Sequence, residues 1–427
     1  MTATALDRDD RPYDPADLSS EAFWSSTAAE RERTFATLRA ERPVSWHRPV
    51  ENGLFTDPND QGFWAVTRYD HVVEVTRRHE DFCSGEGIVF ESLPADVLEA
   101  GQGFIAMDPP RHTRVRKLLT AAFTPRQMAR ITERIDANSR AVVDAIASRG
   151  AVDLVPEVSA PIPMHNICDM VGVPPEHRRT VAHEAQFAGG WRDERLLAGA
   201  DPLLRLLEAA EAMRVVASEL IAERRTAPTD DLLSALATAE VDGEALTDAE
   251  IVSFFGLLMV AGNDTTRQSI SHAILALTEN PDQRAWLLED LDARLPVAVE
   301  ELVRWSTPIM TFRRTATRDC ELGGRQVTAG DKVVLFYSSA NFDAAAFDHP
   351  ERLDLSRHPN KHLAFGGGGV HHCLGIQLAR RQLASILREL LTRLPDVRAD
   401  GEPTYGSGNF FHAVLSLPVC FTPETTP

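Results

Sequence analysis

Three short stretches of this 427-residue chain combine side chains that can do chemistry. In the first, Cys373 follows Phe365, the glycines Gly366 to Gly369, Val370 and the pair His371-His372, and it precedes Leu374 and Gly375. Consecutive glycines suit neither a helix nor a strand interior, because each is entropically costly to order and has no side chain to pack. They mark close backbone approach. Behind them Ile376, Ala379, Leu383, Ile386 and Leu390 recur at helical spacing, which predicts a helix. Cys373 therefore lies at a loop-to-helix junction, where free N–H groups and the positive helix end favour a thiolate. In the second stretch, Ala261-Gly262-Asn263-Asp264-Thr265-Thr266 interrupts an apolar run. A mid-helix glycine costs about 1 kcal/mol and an unpaired buried carboxylate costs more. Locally poor choices of this kind mark function, and an acid beside an alcohol can relay protons. In the third, His112 and Arg116 sit four apart behind Pro109-Pro110. Cations at a helix start oppose its dipole, so a nearby anion would explain them.

Each stretch also has a plainer reading. Cys373 can be a buried structural thiol, His112 and Arg116 a solvated basic face, and Asp264 a partner for a neighbouring helix. Zinc fits the cysteine poorly, since His371, His372 and Cys373 are consecutive and no CxxC lies elsewhere. What remains is a metal already held by a cofactor and lacking one axial ligand, which is haem iron. The stretch from Phe365 to Gly375 resembles the haem-binding loop of cytochrome P450 monooxygenases. It departs in length, with one residue more between Phe365 and Cys373 than the family usually has. A lengthened loop of this kind resembles that of an actinobacterial branch that oxidises methyl-branched lipids and sterol side chains.

The resemblance implies roles that spacing alone does not supply. Cys373 becomes the axial metal ligand, with Phe365, Gly375 and Ala261 against the haem. His112, Arg116, Arg314 and His371 bind its propionates. Asp264 and Thr265 become the catalytic proton-delivery pair, with Ala261-Gly262 loosening the helix where oxygen sits. Glu301 and Arg304, which alone read as a surface i,i+3 pair, match the family's Glu-x-x-Arg signature, with Arg357 as the third structural member. Ile105, Val260, Ala261, Thr265, Ile309 and Phe411 line the substrate pocket, and the segments Ser84 to Gly103 and Phe187 to Trp191 form a substrate loop and a lid.

The elements that must position these groups are legible as patterns. Thr247-Asp248-Ala249-Glu250 is a capping-box start for a helix that is apolar on nearly all sides from Ile251 to Ala261, hence central. Further helices are expected over Glu21 to Arg42, from Asp70, and through most of Gln127 to Glu240. Phe63 to Tyr69, Arg313 to Tyr337 with a Gly323-Gly324 turn, and a terminal hairpin over Phe410 to Pro418 read as β. The longest apolar run, Ile251 to Gly262, is too short to span a membrane. A net charge of −19 disfavours nucleic acid and anionic membrane surfaces. Met1 to Pro15 lacks an apolar signal region, and five scattered cysteines do not form a disulfide framework, so a reduced cytoplasm is expected.

The expected architecture is mainly α with small β-sheets, the cytochrome P450 fold, with a flexible arm over 1–20 and a single haem domain over 21–427. The expected protein is a monomeric haem b monooxygenase without a membrane anchor. It would hydroxylate an apolar methyl-branched lipid, sterol or terpenoid side chain with O₂ and electrons from a ferredoxin and its NAD(P)H-dependent reductase. Arg111, Arg114, Lys117, Arg380 and Arg381 are the expected docking charges. The alternatives are a macrolide-tailoring hydroxylase, a peroxide-driven thiolate-haem peroxygenase, and a haem sensor or carrier.

Overall fold

The computed structural model describes residues 11–424, apart from 56, 93–102, 192–196 and 198. Its organising element is a 32-residue helix, Asp248–Glu279, opened by the reciprocal Thr247 and Glu250 capping box. Buried residues extend along most of its length, from Ile251 through Phe255 and Met259 to Ile270 and Leu277. Burial on nearly every side is the outcome expected of an all-round apolar helix.

Two apolar clusters divide that helix between them. Its N-terminal half packs with helices Arg111–Ala122, Pro161–Val171, Pro175–Gly189 and Pro202–Thr226 through Val115, Ile167, Val181 and Val216. Its C-terminal half packs with Leu291–Ser306 and Ile376–Arg393 through Leu302, Leu383 and Ile386. A five-stranded sheet lies to one side, in the order Val44–His47, Phe63–Val66, Lys332–Phe336, Thr311–Ala316, Phe82–Cys83. Only the Phe63–Val66 and Lys332–Phe336 pair is parallel. Separate apolar clusters cover its faces, one around Val333 and Leu335 and one around Val334 and Phe336. This is the alternation a buried strand imposes.

Several sequence expectations are corrected. The helix expected over Glu21 to Arg42 is two, Glu21–Ser25 and Ala28–Glu41, because Thr27 starts a new capping box with Glu30. Residues 1–10 of the expected arm lie outside the described residues, and 11–20 pack on the fold: Leu18 is fully buried, and Arg11 pairs with Asp331 at 2.5 Å. The terminal hairpin is drawn differently. Val414–Ser416 pairs with Thr404–Tyr405, whereas Pro418–Cys420 joins Ala151–Asp153 and Arg398–Ala399 in another sheet. The hairpin tip therefore spans Gly406 to Ala413, whose backbones are joined by a 3.0 Å hydrogen bond. The expected lid stretch is helical to Gly189, with Phe187 buried, and half of the expected substrate loop, 93–102, lies outside the described residues. No described helix is long and apolar enough to cross a membrane.

Candidate active site

Cys373 is carried by the loop that runs into helix Ile376–Arg393, and its N–H donates to Phe365 O at 3.0 Å. This bond closes the glycine loop into a ring. Gly366 and Gly368 take φ values of 94° and 82°, a region that favours glycine. Gly367 and Gly369 face helix Tyr69–Arg77, where an added Cβ would overlap Thr76 Oγ1 and Thr76 O respectively. The close approach expected of the glycines is therefore to this helix. Burial pushes the Cys373 thiol up, opposed by the Gly375 N–H and by Arg116 and Arg380. The helix-end effect expected from sequence is thus outweighed by desolvation in the free thiol. A coordinated metal cation would remove that proton outright.

Around this loop the expected anion-binding residues converge. His112 is 1 % exposed, its ring stacked on Phe104 at 4.8 Å and 4.3 Å from the ring of His371. Nε2 of both histidines is buried without a hydrogen-bond partner among the described residues. Burial, followed by the charge of Arg314, the neighbouring His112 and Arg116, depresses His371 to about 2, while burial and Arg116 lower His112 to about 4. Arg116 donates to Val370 O and His372 O at 3.2 and 2.8 Å, and Arg314 to Arg313 O at 2.7 Å. Two orphaned imidazole nitrogens and two guanidinium groups gathered in one place offer hydrogen-bond donors and positive charge that suit an anion. The two carboxylates of a haem are such anions, so this donor set fits the group.

The central helix carries the acid and the alcohol. Asp264 is fully buried, and its Oδ1 lies 2.5 Å from Arg267 Nη2 without aligned hydrogen-bond geometry. Desolvation raises its pKa to about 6 despite Arg267. Thr265 Oγ1 donates to Ala261 O at 2.7 Å. The helix stays α-helical through Ala261 to Thr266, so the expected loosening is not seen. Gly262 instead admits Ile167, whose Cδ1 lies 2.7 Å from where its Cβ would be. Val260, Ala261 and Thr265 are half-buried in a helix whose neighbouring positions are mostly buried. Ile309 pairs with Phe411 in a β-bridge, and half-buried Ile105 lies in the turn Phe104–Ala106, whose Phe104 ring meets Phe254 of the central helix at 6.1 Å.

The structural triad is buried. Glu301 takes Arg304 at 2.7 Å and Arg357 at 3.0 Å, with Asn360 Nδ2 and the Asp354 N–H as further donors. Sequence reasoning missed its neighbour. Glu300 accepts from Arg380 Nε at 2.7 Å and faces His362 Nε2 at 3.3 Å. Burial works against its charge, but His362 and Arg380 hold it at about 2. Arg380 also lies over the Phe365 ring at 5.4 Å. Asn341 was missed too: it bonds Leu363 N–H at 2.7 Å and accepts from Arg304 at 2.8 Å. Neither residue has a spacing signal, because their partners are remote in sequence.

Most of the expected docking charges are already paired. Arg114 meets Glu250, Lys117 meets Asp242 at 2.5 Å, Arg380 meets Glu300, and Arg381 meets Asp136. Arg111 is exposed, and no ion pair engages it among the described residues. A cavity of about 700 Å³ lies elsewhere, against the main sheet, lined by residues including Trp46, Cys83, Arg313 and Lys332. It contains none of the expected site residues.

The sequence profile described as Cytochrome P450 matches residues 201–395. A methyl-branched lipid omega-hydroxylase of Mycobacterium tuberculosis is 40% identical over 414 residues, covering 96% of each chain. A steroid C26-monooxygenase of Mycolicibacterium smegmatis is 35% identical, covering 91% of this chain and 90% of its own. Among solved structures, a Mycobacterium marinum cytochrome P450 in complex with pseudoionone is 56% identical with a TM-score of 0.92, covering 98% of this chain and all of that one. Likeness this extensive in sequence and fold leaves one family: the chain belongs to the cytochrome P450s, haem-dependent monooxygenases.

Proposed function

We propose that the protein hydroxylates an apolar, methyl-branched substrate, in the class of branched lipids and sterol or terpenoid side chains, using haem b, O₂ and electrons from a ferredoxin. The observation that carries this reading is the convergence of the unpaired His112 and His371 nitrogens with Arg116 and Arg314 beside Cys373. Cys373 would supply the thiolate ligand, and His112, His371, Arg116 and Arg314 would hold the propionates. Phe365, Ala261 and Gly375 would pack against the macrocycle. Bound there, the haem supplies the redox chemistry that activates O₂.

The rest is the work of this chain's side chains. Asp264, titrating near 6, can take up and release protons around neutral pH. Thr265 passes a proton onward once its hydroxyl turns from Ala261 O. Ile105, Val260, Ala261, Thr265, Ile309 and Phe411 enclose the substrate. The methyl-branched class is supported by the names of the relatives and by the neighbour's complex with pseudoionone, an acyclic methyl-branched ketone. Electrons come from a ferredoxin served by an NAD(P)H-dependent reductase, and Arg111, exposed and without an ion pair among the described residues, is a cation that could meet it.

Two measurements test the reading. The reduced carbon monoxide complex should show the red-shifted Soret band of thiolate ligation, and Cys373→Ser should lose it. A panel of straight-chain and methyl-branched fatty acids, a sterol, pseudoionone and a macrolide is screened for substrate-induced spectral shift and ferredoxin-supported product. Binding of the macrolide alone would overturn the substrate class. Turnover with peroxide but not with ferredoxin and reductase would overturn the electron source.

A further inference from the structure

The tip of the C-terminal hairpin is bolted to the central helix by side chains that the proposed mechanism does not use. His272 and Gln268 lie on that helix, seven and three residues beyond Thr265, within about 60° of it around the axis. Their Cα atoms are about 10 and 4.5 Å along the axis from Thr265. Gln268 Oε1 accepts the Val414 N–H at 2.7 Å, and His272 Nε2 donates to His412 O at 3.0 Å. The two imidazole rings lie 4.1 Å apart at 32°.

His412 also reaches the opposite wall. Its Nδ1 donates to Ser306 O at 2.8 Å, and its backbone N–H donates to Pro308 O at 3.0 Å. Both acceptors are carbonyls, so Nδ1 carries the proton in His412 and Nε2 carries it in His272. On either side of these bonds, Met310 N–H donates to Phe410 O at 2.8 Å and Thr311 Oγ1 to Asn409 O at 2.7 Å. The bridged pair Ile309 and Phe411 sits between them. Phe411 therefore has no freedom to move that is independent of residue 412, and residue 412 is fixed to the helix that carries Thr265.

We infer that Gln268, His272 and His412 form a clamp that sets the Ile309–Phe411 wall against Thr265 and so decides which carbon of the substrate is oxidised. The inference rests on the proposed reading that Ile309, Phe411 and Thr265 border the substrate. His412 is a positioning residue. A purely structural role would lower the melting temperature without altering where the product carries its hydroxyl.

The experiment compares product distributions from the methyl-branched substrate that the spectral screen selects, using the ferredoxin-supported holoenzyme. His412→Phe keeps a ring but removes the donor to Ser306 O, whereas His412→Asn retains a donor near the Nδ1 position. The ratio of the major regioisomer to the others should fall about three- to tenfold in His412→Phe. It should return toward the parental value in His412→Asn, with the thiolate Soret band retained in both. Gln268→Leu, which unties Val414 instead, should shift the ratio in the same direction and serves if His412→Phe does not fold. Parental ratios in His412→Phe and Gln268→Leu would overturn the clamp while leaving the hydroxylase reading intact. No hydroxylated product from the parent enzyme with any member of the panel would overturn that reading, and the clamp with it.

Discussion

Gly189, at the end of helix Pro175–Gly189, lies so close to Asp264 of the central helix that an added Cβ would overlap its carboxylate oxygen Oδ2. The acid that titrates near 6 is thus roofed by backbone, and no side chain could replace this glycine without moving one partner.

Gly189→Ala should therefore push Asp264 or the helix end away and impair proton delivery. Ferredoxin-supported turnover is expected to fall roughly a hundredfold, the scale of a catalytic group displaced by about 1 Å. Haem content and the thiolate Soret band should stay parental. Unchanged turnover would mean that the two elements separate easily.

Thr265→Ala removes the hydroxyl that bonds Ala261 O at 2.7 Å and should leave substrate binding intact. Reduced cofactor should be consumed at a comparable rate, with product per NADPH down roughly tenfold and hydrogen peroxide up correspondingly. Product and peroxide are counted together. Parental coupling would assign the proton step to another group.

Glu301→Gln leaves Arg304, which is fully buried, without its charge partner. Removing one member of a buried pair costs about 3–5 kcal/mol. Denaturant unfolding should show a loss of that size, accompanied by poor haem retention. Glu300→Gln should cost less, since Arg380 keeps about a third of its side chain in solvent. Equal losses would refute the ranking.

His47 is buried between Phe63 and Ser45, and desolvation lowers it to about 4, with Asp14 opposing. The unfolded chain, with an ordinary imidazole, binds a proton more readily between pH 6.5 and 4. Stability is thus fully present above pH 6.5 and falls as the pH drops toward 4. The contribution is about 3 kcal/mol at most. His47→Gln should flatten the curve of unfolding free energy against pH in that window. A curve unchanged in slope would assign the acid sensitivity elsewhere.

What the sequence made legible were the places where local rules are broken. Glycines beside Cys373, and an acid and an alcohol within an apolar helix, are poor structural choices, and the fold shows close backbone approach at both, to Thr76 and to Gly189. Patterns that obey the rules were less informative. Glu301 and Arg304 at i,i+3 look the same on a surface as in a core, and only the fold shows that the pair is buried. Val414–Ser416 and Pro418–Cys420 are separated by Leu417 alone, yet they pair in different sheets, because strand alternation records faces and not partners. Arg381 and Asp136 are 245 residues apart, and His272 and His412 are 140 apart. Such long-range partners leave no spacing to read, so the docking charges looked free and the clamp left no mark.

The glycine loop rests on Thr76 through Gly367 and Gly369, upstream of the Phe365–Cys373 hydrogen bond's cysteine end. The glycines that approach helix Tyr69–Arg77 lie on the rim of the loop, while Cys373 is held at its base by the Phe365 carbonyl just before helix Ile376–Arg393. The rim contact and the bond that holds the cysteine are thus made by different residues of the loop. A change in the rim that kept both glycines against Thr76 would leave the Phe365–Cys373 bond, and with it the position of the sulfur, as it is.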